Sequence, residues 1–542
     1  MVPFRVTAAA YHANASPSVS LERGAYRLRA PQTRSHLEPE PTHPPPRNRR
    51  PPQGTYLMRI SLSVLVLIVL LTFACLSCFA LAYHLYSTRW GARSVDQLYR
   101  STDWLQVNAF PYDAPLLQPN LEERYMTYLP HSGFHNQRIS LENALMLSYL
   151  LNRTLIIPPV RLGRKPLRYM NSTTLSENIN LGHKEGLQYC LIVPTTLVVP
   201  PECFDYFDYT YIPWNWLVNL TQLVSFLPLK PIQLWGMSLE QMQSKLKLNT
   251  MDMNLLLDDS PYQYQFQDLP LAELKPSNKY LKQIFIQDLT TNFTGRLLQL
   301  GTLFGSSRLL LRNVTTASLH KTVRQNMVFS NPLLISIALS IRDKISSPYI
   351  GVQLRISEGI FETNSISNVY EIWWKLVHVC YGYSEAESKE LERVLLHPND
   401  VGVRGLNSSL FRPQYQLDNR FQLLTARRPA CRRGLHTNLL LLPLNAPLYL
   451  STDVEDPSAE RLLSIFFRTF PCVLMLPDFA DELKPLQALH NPDDGLGLTK
   501  FMLPFLDAMV MGHASRTVTT RGSTFGTFVE DVLWRSLHQQ RG

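Results

Sequence analysis

Four short segments hold residues whose types suit polar binding chemistry. The first is Ser132-Gly133-Phe134-His135-Asn136-Gln137. Gly133 allows a ligand close to the backbone, and the Asn136 amide offers both a donor and an acceptor. The second is Gln353-Leu354-Arg355, where the guanidinium fork could take a phosphate in bidentate fashion. Thr452-Asp453 is the third, a carboxylate suited to a ribose or a base. The fourth, Ser523-Thr524-Phe525, opens a predicted helix whose leading N–H groups and dipole favour phosphate. Each has an ordinary alternative. Asn136 suits a turn, Arg355 a surface ion pair, Ser523 an N-cap, and Asp453 a cap for the helix after it.

The argument for joint action lies in the elements around them. RYMTYLP, from Arg124, reads as a short strand stopped by Pro130, with HSGFHNQ as a loop behind it. Within RISLENALMLSYLLN, Ala144, Leu147, Leu150 and Leu151 share one helical face, and TLIIPP returns as a strand. PYIGVQLR, APLYLSTD, CVLML and TVTT are further strands, with helices over SNVYEIWWKLVHVCYGY, PSAERLLSIFFRTF, KFMLPFLDAMVMGHA and STFGTFVEDVLWRSL. This alternation predicts an α/β fold of two Rossmann-like domains facing a cleft. In such folds ligands bind beyond the carboxyl ends of the strands, where all four segments fall.

The expected boundaries are a disordered cytosolic tail over 1–59, a transmembrane helix over 60–83 and a stem over 84–120. An N-terminal Rossmann-like domain spans 121–345. The C-terminal one spans 346–542, with an irregular insertion at about 384–442. The run from Ile60 to Tyr83 has no charged residue and is long enough to cross a bilayer. Arg47, Arg49, Arg50 and Arg59 precede it, and only Arg89 and Arg93 follow closely, which predicts a type II orientation. Asn152, Asn171, Asn219, Asn292, Asn313 and Asn407 begin N-x-S/T triplets after the span, in agreement with that orientation.

Charge narrows the partners. The net charge is +9, and the nine arginines and three glutamates before Ile60 supply +6 of it. The rest of the chain has no Lys/Arg stripe with interleaved aromatics, so nucleic acid is not an expected partner. Of seven cysteines, Cys75 and Cys78 lie in the apolar run. The other five lack zinc-ligand spacing and fit two disulfides and one free thiol, Cys190–Cys203 being the easiest pair by separation. No D-x-D triplet offers a divalent-ion site, and Asp258-Asp259 and Asp493-Asp494 read as solvated turns.

The motifs together resemble the GDP-fucose protein O-fucosyltransferase family. Gly133-Phe134-His135-Asn136-Gln137 followed by LLNRTLIIPP is similar to that family's first motif. IGVQLRIS is similar to its His-Leu-Arg motif, LSTDVED to its Thr-Asp segment, and TTRGSTFGTFVED to its C-terminal segment. The resemblance implies a GT-B fold, with the N-terminal domain on the acceptor side and the C-terminal one on the nucleotide-sugar side. It also implies an inverting transfer of fucose from GDP-fucose, with no cofactor and no essential metal. The acceptor would be a hydroxyl on a secreted protein or a glycan, and the compartment the Golgi or ER membrane, with the C-terminal domain lumenal. It further implies Asn136 near the sugar and diphosphate, Arg355 on the β-phosphate, Asp453 on the nucleoside, and Thr524 and Phe525 on phosphate or guanine. Gln353 stands where the family has histidine, and Ser357 where it has glycine. The general base is open: His131, His135 and Glu358 are the candidates. Two rival readings are a catalytically inactive nucleotide-sugar or glycan-binding protein and a transferase using another nucleotide sugar.

Overall fold

The computed structural model describes residues 67, 69–82, 122–163, 166–193, 198–225, 232–233, 238–270, 277–346, 348–396, 406–411 and 431–539. The chain divides between residues 101 and 102. Of the first part, 67 and 69–82 are helical and exposed. All of the expected tail and stem, and residues 60–66, 68 and 83 of the expected transmembrane helix, lie outside the described residues. Among the described residues no helix is long and apolar enough to cross a membrane.

The second part is α/β, built on two parallel sheets. Strands are β1 (Tyr125–Tyr128), β2 (Thr154–Ile157), β3 (Val160–Gly163), β4 (Tyr209–Ile212), β5 (Ile232–Gln233), β6 (Met253–Leu256), β7 (Tyr264–Gln267), β8 (Lys282–Phe285), β9 (Leu297–Leu300), β10 (Leu309–Leu310), β11 (Ile350–Leu354), β12 (Leu448–Thr452), β13 (Val473–Leu474) and β14 (Arg516–Thr519). The first sheet runs β5-β2-β1-β9-β6 and the second β13-β12-β11-β14. All pairings within each are parallel. A smaller parallel sheet, β10-β7-β8, and the antiparallel pair β3-β4 complete the strands. Tyr125–Tyr128, Leu297–Leu300 and Ile350–Leu354 are buried throughout, as strands covered on both faces must be.

The helices that matter here are α1 (Phe134–Leu150), α2 (Ser172–Leu181), α3 (Leu239–Lys245), α4 (Val314–Gln325), α5 (Pro332–Ile345), α6 (Ser365–Lys375), α7 (Glu385–Leu396), α8 (Thr499–Gly512) and α9 (Thr524–Phe528). Residues Gln137–Ser148 of α1 are all buried, so it is a core helix rather than an amphipathic one. The largest buried cluster draws on the α1 side of the first sheet, on α5, and on α8 beneath the second. A second cluster lies on the α6 side of the second sheet.

Three expectations need correction. The loop HSGFHNQ is shorter than its composition suggests, because α1 begins at Phe134 with Gly133 as N-cap. His135 and Asn136 therefore stand in the first helical turn. Tertiary packing extends the helix there: the Phe134 ring lies 4.7 Å from Phe505 and 5.6 Å from Trp214. The stretch 384–442 is not wholly irregular, since α7 occupies its start. Residues 397–405 and 412–430 of it lie outside the described residues. Finally, neither acidic pair is simply a solvated turn. Asp258 is buried, accepting from Ser172 Oγ at 2.6 Å and the Thr302 N–H at 2.8 Å. Asp494 is buried against Lys184 Nζ at 3.0 Å.

Two disulfides are present, Cys190–Cys203 and Cys431–Cys472, and Cys380 is a free thiol. They are consistent with an oxidising, secretory compartment. All six sequon asparagines are exposed.

Candidate functional site

The site lies where β11, β12 and β14 end beside the N-termini of α1 and α9. Parallel pairing brings it about: Gln353 sits opposite Ser451 on one side and Thr519 on the other. The chain segments leaving the three strands are therefore neighbours. Asp453 binds the one after β11, accepting the Ile356 N–H at 2.9 Å and the Ser357 N–H at 3.1 Å. Thr520 fastens the same segment from the other side. Its Oγ accepts the Arg355 N–H at 3.0 Å and donates to the Gln353 carbonyl at 3.1 Å.

Between these clamps the Arg355 side chain projects, about 29% exposed. Its guanidinium pairs with Glu358 at 3.0 Å, lies 3.9 Å from Asp453, and rests 4.6 Å from the Phe361 ring. Glu358 itself is about 70% exposed, so that pair is a surface one and exchanges readily for another anion. Asp453 thus has a task the sequence did not reveal, which is to fix the backbone that carries the arginine.

α9 follows β14 through an ordinary cap. Ser523 is buried and its Oγ accepts the Gly526 N–H at 3.1 Å. A Cβ on Gly526 would come within 2.6 Å of Thr519, so glycine is what lets α9 sit down on β14. Gln353 lies buried under the same glycine, with its amide oxygen 3.0 Å from where that Cβ would be. Thr524 and Phe525 open the helix, half-buried.

Helix α1 meets α9 through His135, whose ring is 5.3 Å from Phe525 and 5.0 Å from Phe528. Burial, then the charges of Arg138 and Arg355, hold the His135 imidazole well below its usual pKa, and its Nδ1 has no partner. Phe134 is locked in the aromatic cluster described above. Gly133 differs from Gly526, since a Cβ added there would meet nothing within 4 Å. Its surroundings are open, and its φ of −70° suits any residue.

All four segments are thus neighbours, linked by Arg355 to Asp453, Arg355 to Thr520 and His135 to Phe525. His131 is different. It is buried on the other side of the loop, with Nδ1 2.7 Å from Ser132 Oγ and Nε2 2.5 Å from Thr302 Oγ. Burial, with a smaller contribution from Arg308, pushes its pKa down to about 4. The unfolded imidazole protonates first, so this group's stabilisation is complete above about pH 6.5 and is lost as pH falls towards 4. The full contribution is on the order of 3 kcal/mol. Asp507, pushed up to about 6 by burial, has the opposite slope. The stability advantage of the wild type over His131→Gln should therefore be followed by urea titration from pH 7.5 to 4.5. It should shrink by about 2–3 kcal/mol; a constant difference would show that His131 is not held neutral.

Sequence reading missed Arg138 and Thr520. Arg138 is buried directly behind His135, pairs with Glu142 and lies 4.6 Å over the Phe528 ring. The i, i+4 spacing of Arg138 and Glu142 could have signalled the pair, although such pairs on helices are usually solvent-exposed. Among the described residues no group of three or more His, Cys, Asp or Glu could hold a metal ion.

No protein-family profile matches the chain. A 40-residue stretch is 52% identical to O-fucosyltransferase 30 of Arabidopsis thaliana, covering 7% of this chain and 8% of that protein. The chain resembles the O-fucosyltransferase family in that stretch, and the match spans under a tenth of the relative's length. Among solved structures, POFUT1 in complex with GDP-fucose is 12% identical, aligned over 75% of this chain and 94% of that one, with a TM-score of 0.32. POFUT1 in complex with GDP is 12% identical over 76% and 94%, and its apo-form 10% identical over 77% and 96%, both with a TM-score of 0.32. These structural similarities are too distant to transfer any residue's role.

Proposed function

We propose that this chain is a type II membrane glycosyltransferase of the Golgi or ER, GT-B in architecture, moving fucose from GDP-fucose to a protein or glycan hydroxyl with inversion. The observation that carries the reading is the presentation of Arg355. Two side chains, Asp453 and Thr520, fix the backbone around it from opposite sides, while its half-buried guanidinium lies beside the N-termini of α1 and α9. Fixed cationic groups aimed at a leaving diphosphate stabilise the charge that develops on it, without reorganising as the bond breaks. Asn136 and the leading amides of α9, at Thr524 and Phe525, would contact the same phosphates or the sugar. The short sequence match to an O-fucosyltransferase supports fucose as the sugar.

Gly133 gives a direct test. Alanine there has room and an allowed φ, so Gly133→Ala should leave the melting temperature within about 2 °C of wild type. GDP-fucose affinity should nevertheless fall at least about tenfold, because a methyl group would occupy the space left for the donor. Calorimetric titration measures both GDP and GDP-fucose. Undiminished affinity in this variant would remove Gly133 from the donor site.

A binding protein without turnover is the second reading, and the histidines favour it. His131 is spent on two hydroxyl contacts, and the buried His135 Nδ1 is enclosed by phenylalanines. Only Glu358, paired with Arg355, is left as a base among the candidates. GDP-fucose binding with no GDP release over any acceptor panel would select this reading.

A further inference from the structure

A cavity of about 70 Å³ lies at the carboxyl ends of β1, β2 and β9, on the side of the first sheet covered by α3. Arg355, Asp453 and Thr524 do not line it. His131, Ser132 and Gln137 do, so it shares the chain segment that enters α1 with the candidate donor site. Gln137 stiffens that shared wall, donating to the Ser132 carbonyl at 3.0 Å and the Arg161 carbonyl at 2.8 Å.

Most of the lining is apolar, with Ile156, Ile179 and Met242 among it. Ser132, Ser176 and Asn180 also bring polar groups to the wall, and Gln299 and His183 each bring a buried one. Gln299 is 4% exposed, and its Oε1 is buried with no hydrogen-bond partner. The buried Nε2 of His183 also has none. Buried polar atoms of folded proteins nearly always find partners, and one left open in a cavity marks where a ligand or a water completes it. Neither Asp nor Glu lines the cavity. Its one fully charged wall group, Arg161, donates to the Tyr211 hydroxyl at 3.0 Å and stacks 3.6 Å over the Tyr209 ring. A sugar presents hydroxyls on nearly every carbon, and those facing Ile156, Ile179, Leu239 and Met242 would be left unpaired. A carboxylate has no hydrogen to give to Gln299 Oε1. A neutral side chain with an aliphatic stem and a carboxamide end meets both demands, since its NH₂ carries two donors.

We propose that this cavity seats an asparagine- or glutamine-like side chain of a polypeptide acceptor. It rests on the function proposed above only in naming that polypeptide an acceptor. N-acetyl-L-glutaminamide is the probe, presented to the full chain in detergent and followed by saturation-transfer NMR. The glutamate counterpart and N-acetylglucosamine serve as controls. The glutaminamide should bind wild type in preference to both controls, at least tenfold more weakly to Gln299→Leu, and not at all to Ser176→Trp, whose indole would fill the space. Should Ser176→Trp fail to fold, Ile179→Phe fills the same cavity from the next turn of contacts on α2. GDP affinity should be equal in wild type and variants, so absence of GDP binding defeats the donor reading while leaving the cavity claim intact. No glutaminamide binding, equal binding of either control, or undiminished binding in Gln299→Leu and the filled variants would overturn the assignment.

Discussion

Arg355→Ala should lower kcat/KM for fucose transfer by about 10²–10³ or more while the protein stays folded. The two halves of this expectation rest on different observations. On the proposed function, transfer would suffer because GDP departure would concentrate charge on the diphosphate, and the guanidinium would be the fixed cation presented to it. Stability is spared because the side chain's ion pairs are weak. Glu358 is exposed, and the closest Asp453 approach is 3.9 Å. The Asp453 carboxylate keeps its bonds to the Ile356 and Ser357 N–H groups whether or not the guanidinium is present. Exposed pairs of this kind are worth about 0–1 kcal/mol. Arg355→Lys should fall between, since the ammonium restores charge but not the bidentate fork. Glu358→Gln separates this role from a merely structural ion pair. It breaks the same pair as Arg355→Ala, yet should preserve GDP affinity or raise it slightly by freeing the guanidinium. Matching losses of GDP affinity in both variants would show that the pair, rather than the arginine, matters. GDP titration and a GDP-release assay on the three variants decide the question.

The strands were legible because their signals are local. Ile350–Leu354 and Leu448–Thr452 are short apolar runs of the kind that parallel sheets bury, and the second and third candidate segments lie at their ends. The start of α1 was not legible. Phe134 and His135 are drawn into the helix by rings from distant segments, Trp214, Phe505 and Phe525, and no periodicity records such contacts. Asp453 was read correctly as a polar residue at a strand end. Its partners there are N–H groups nearly a hundred residues earlier, which spacing alone cannot give. The acidic pairs failed for the same reason. Asp494 does lie in a turn, but it reads as a solvated one until Lys184 and Thr210 are placed on it, the latter hydroxyl donating at 2.8 Å. Long-range polar partners are invisible in sequence, whereas burial patterns are not.

That lesson bears most heavily on Glu142, whose removal should be the most destabilising single change on this side of the site. Its side chain is fully buried and takes Arg138 on one oxygen and Arg324 Nε, at 3.1 Å, on the other. Glu142→Ala would leave Arg138 with a buried, unpaired charge, and its Nε already lacks a partner. Burial lowers the Arg138 pKa, the mark of a cation poorly solvated where it lies, and Glu142 offsets that. The expected loss is about 3–5 kcal/mol, read from denaturant midpoints. A paired replacement tests the cause. Arg138→Met with Glu142→Leu removes both buried charges while keeping the volume filled, and should recover most of the stability lost by Glu142→Ala. The same double variant asks whether the pair also serves the site. Arg138 stacks on Phe528 of α9 and sits behind His135 of α1, so it helps hold together the two helix starts that flank Arg355. A stable double variant with normal GDP affinity would confine the pair to folding. If stability returned and GDP affinity did not, the positive charge of Arg138 would be part of what attracts the diphosphate.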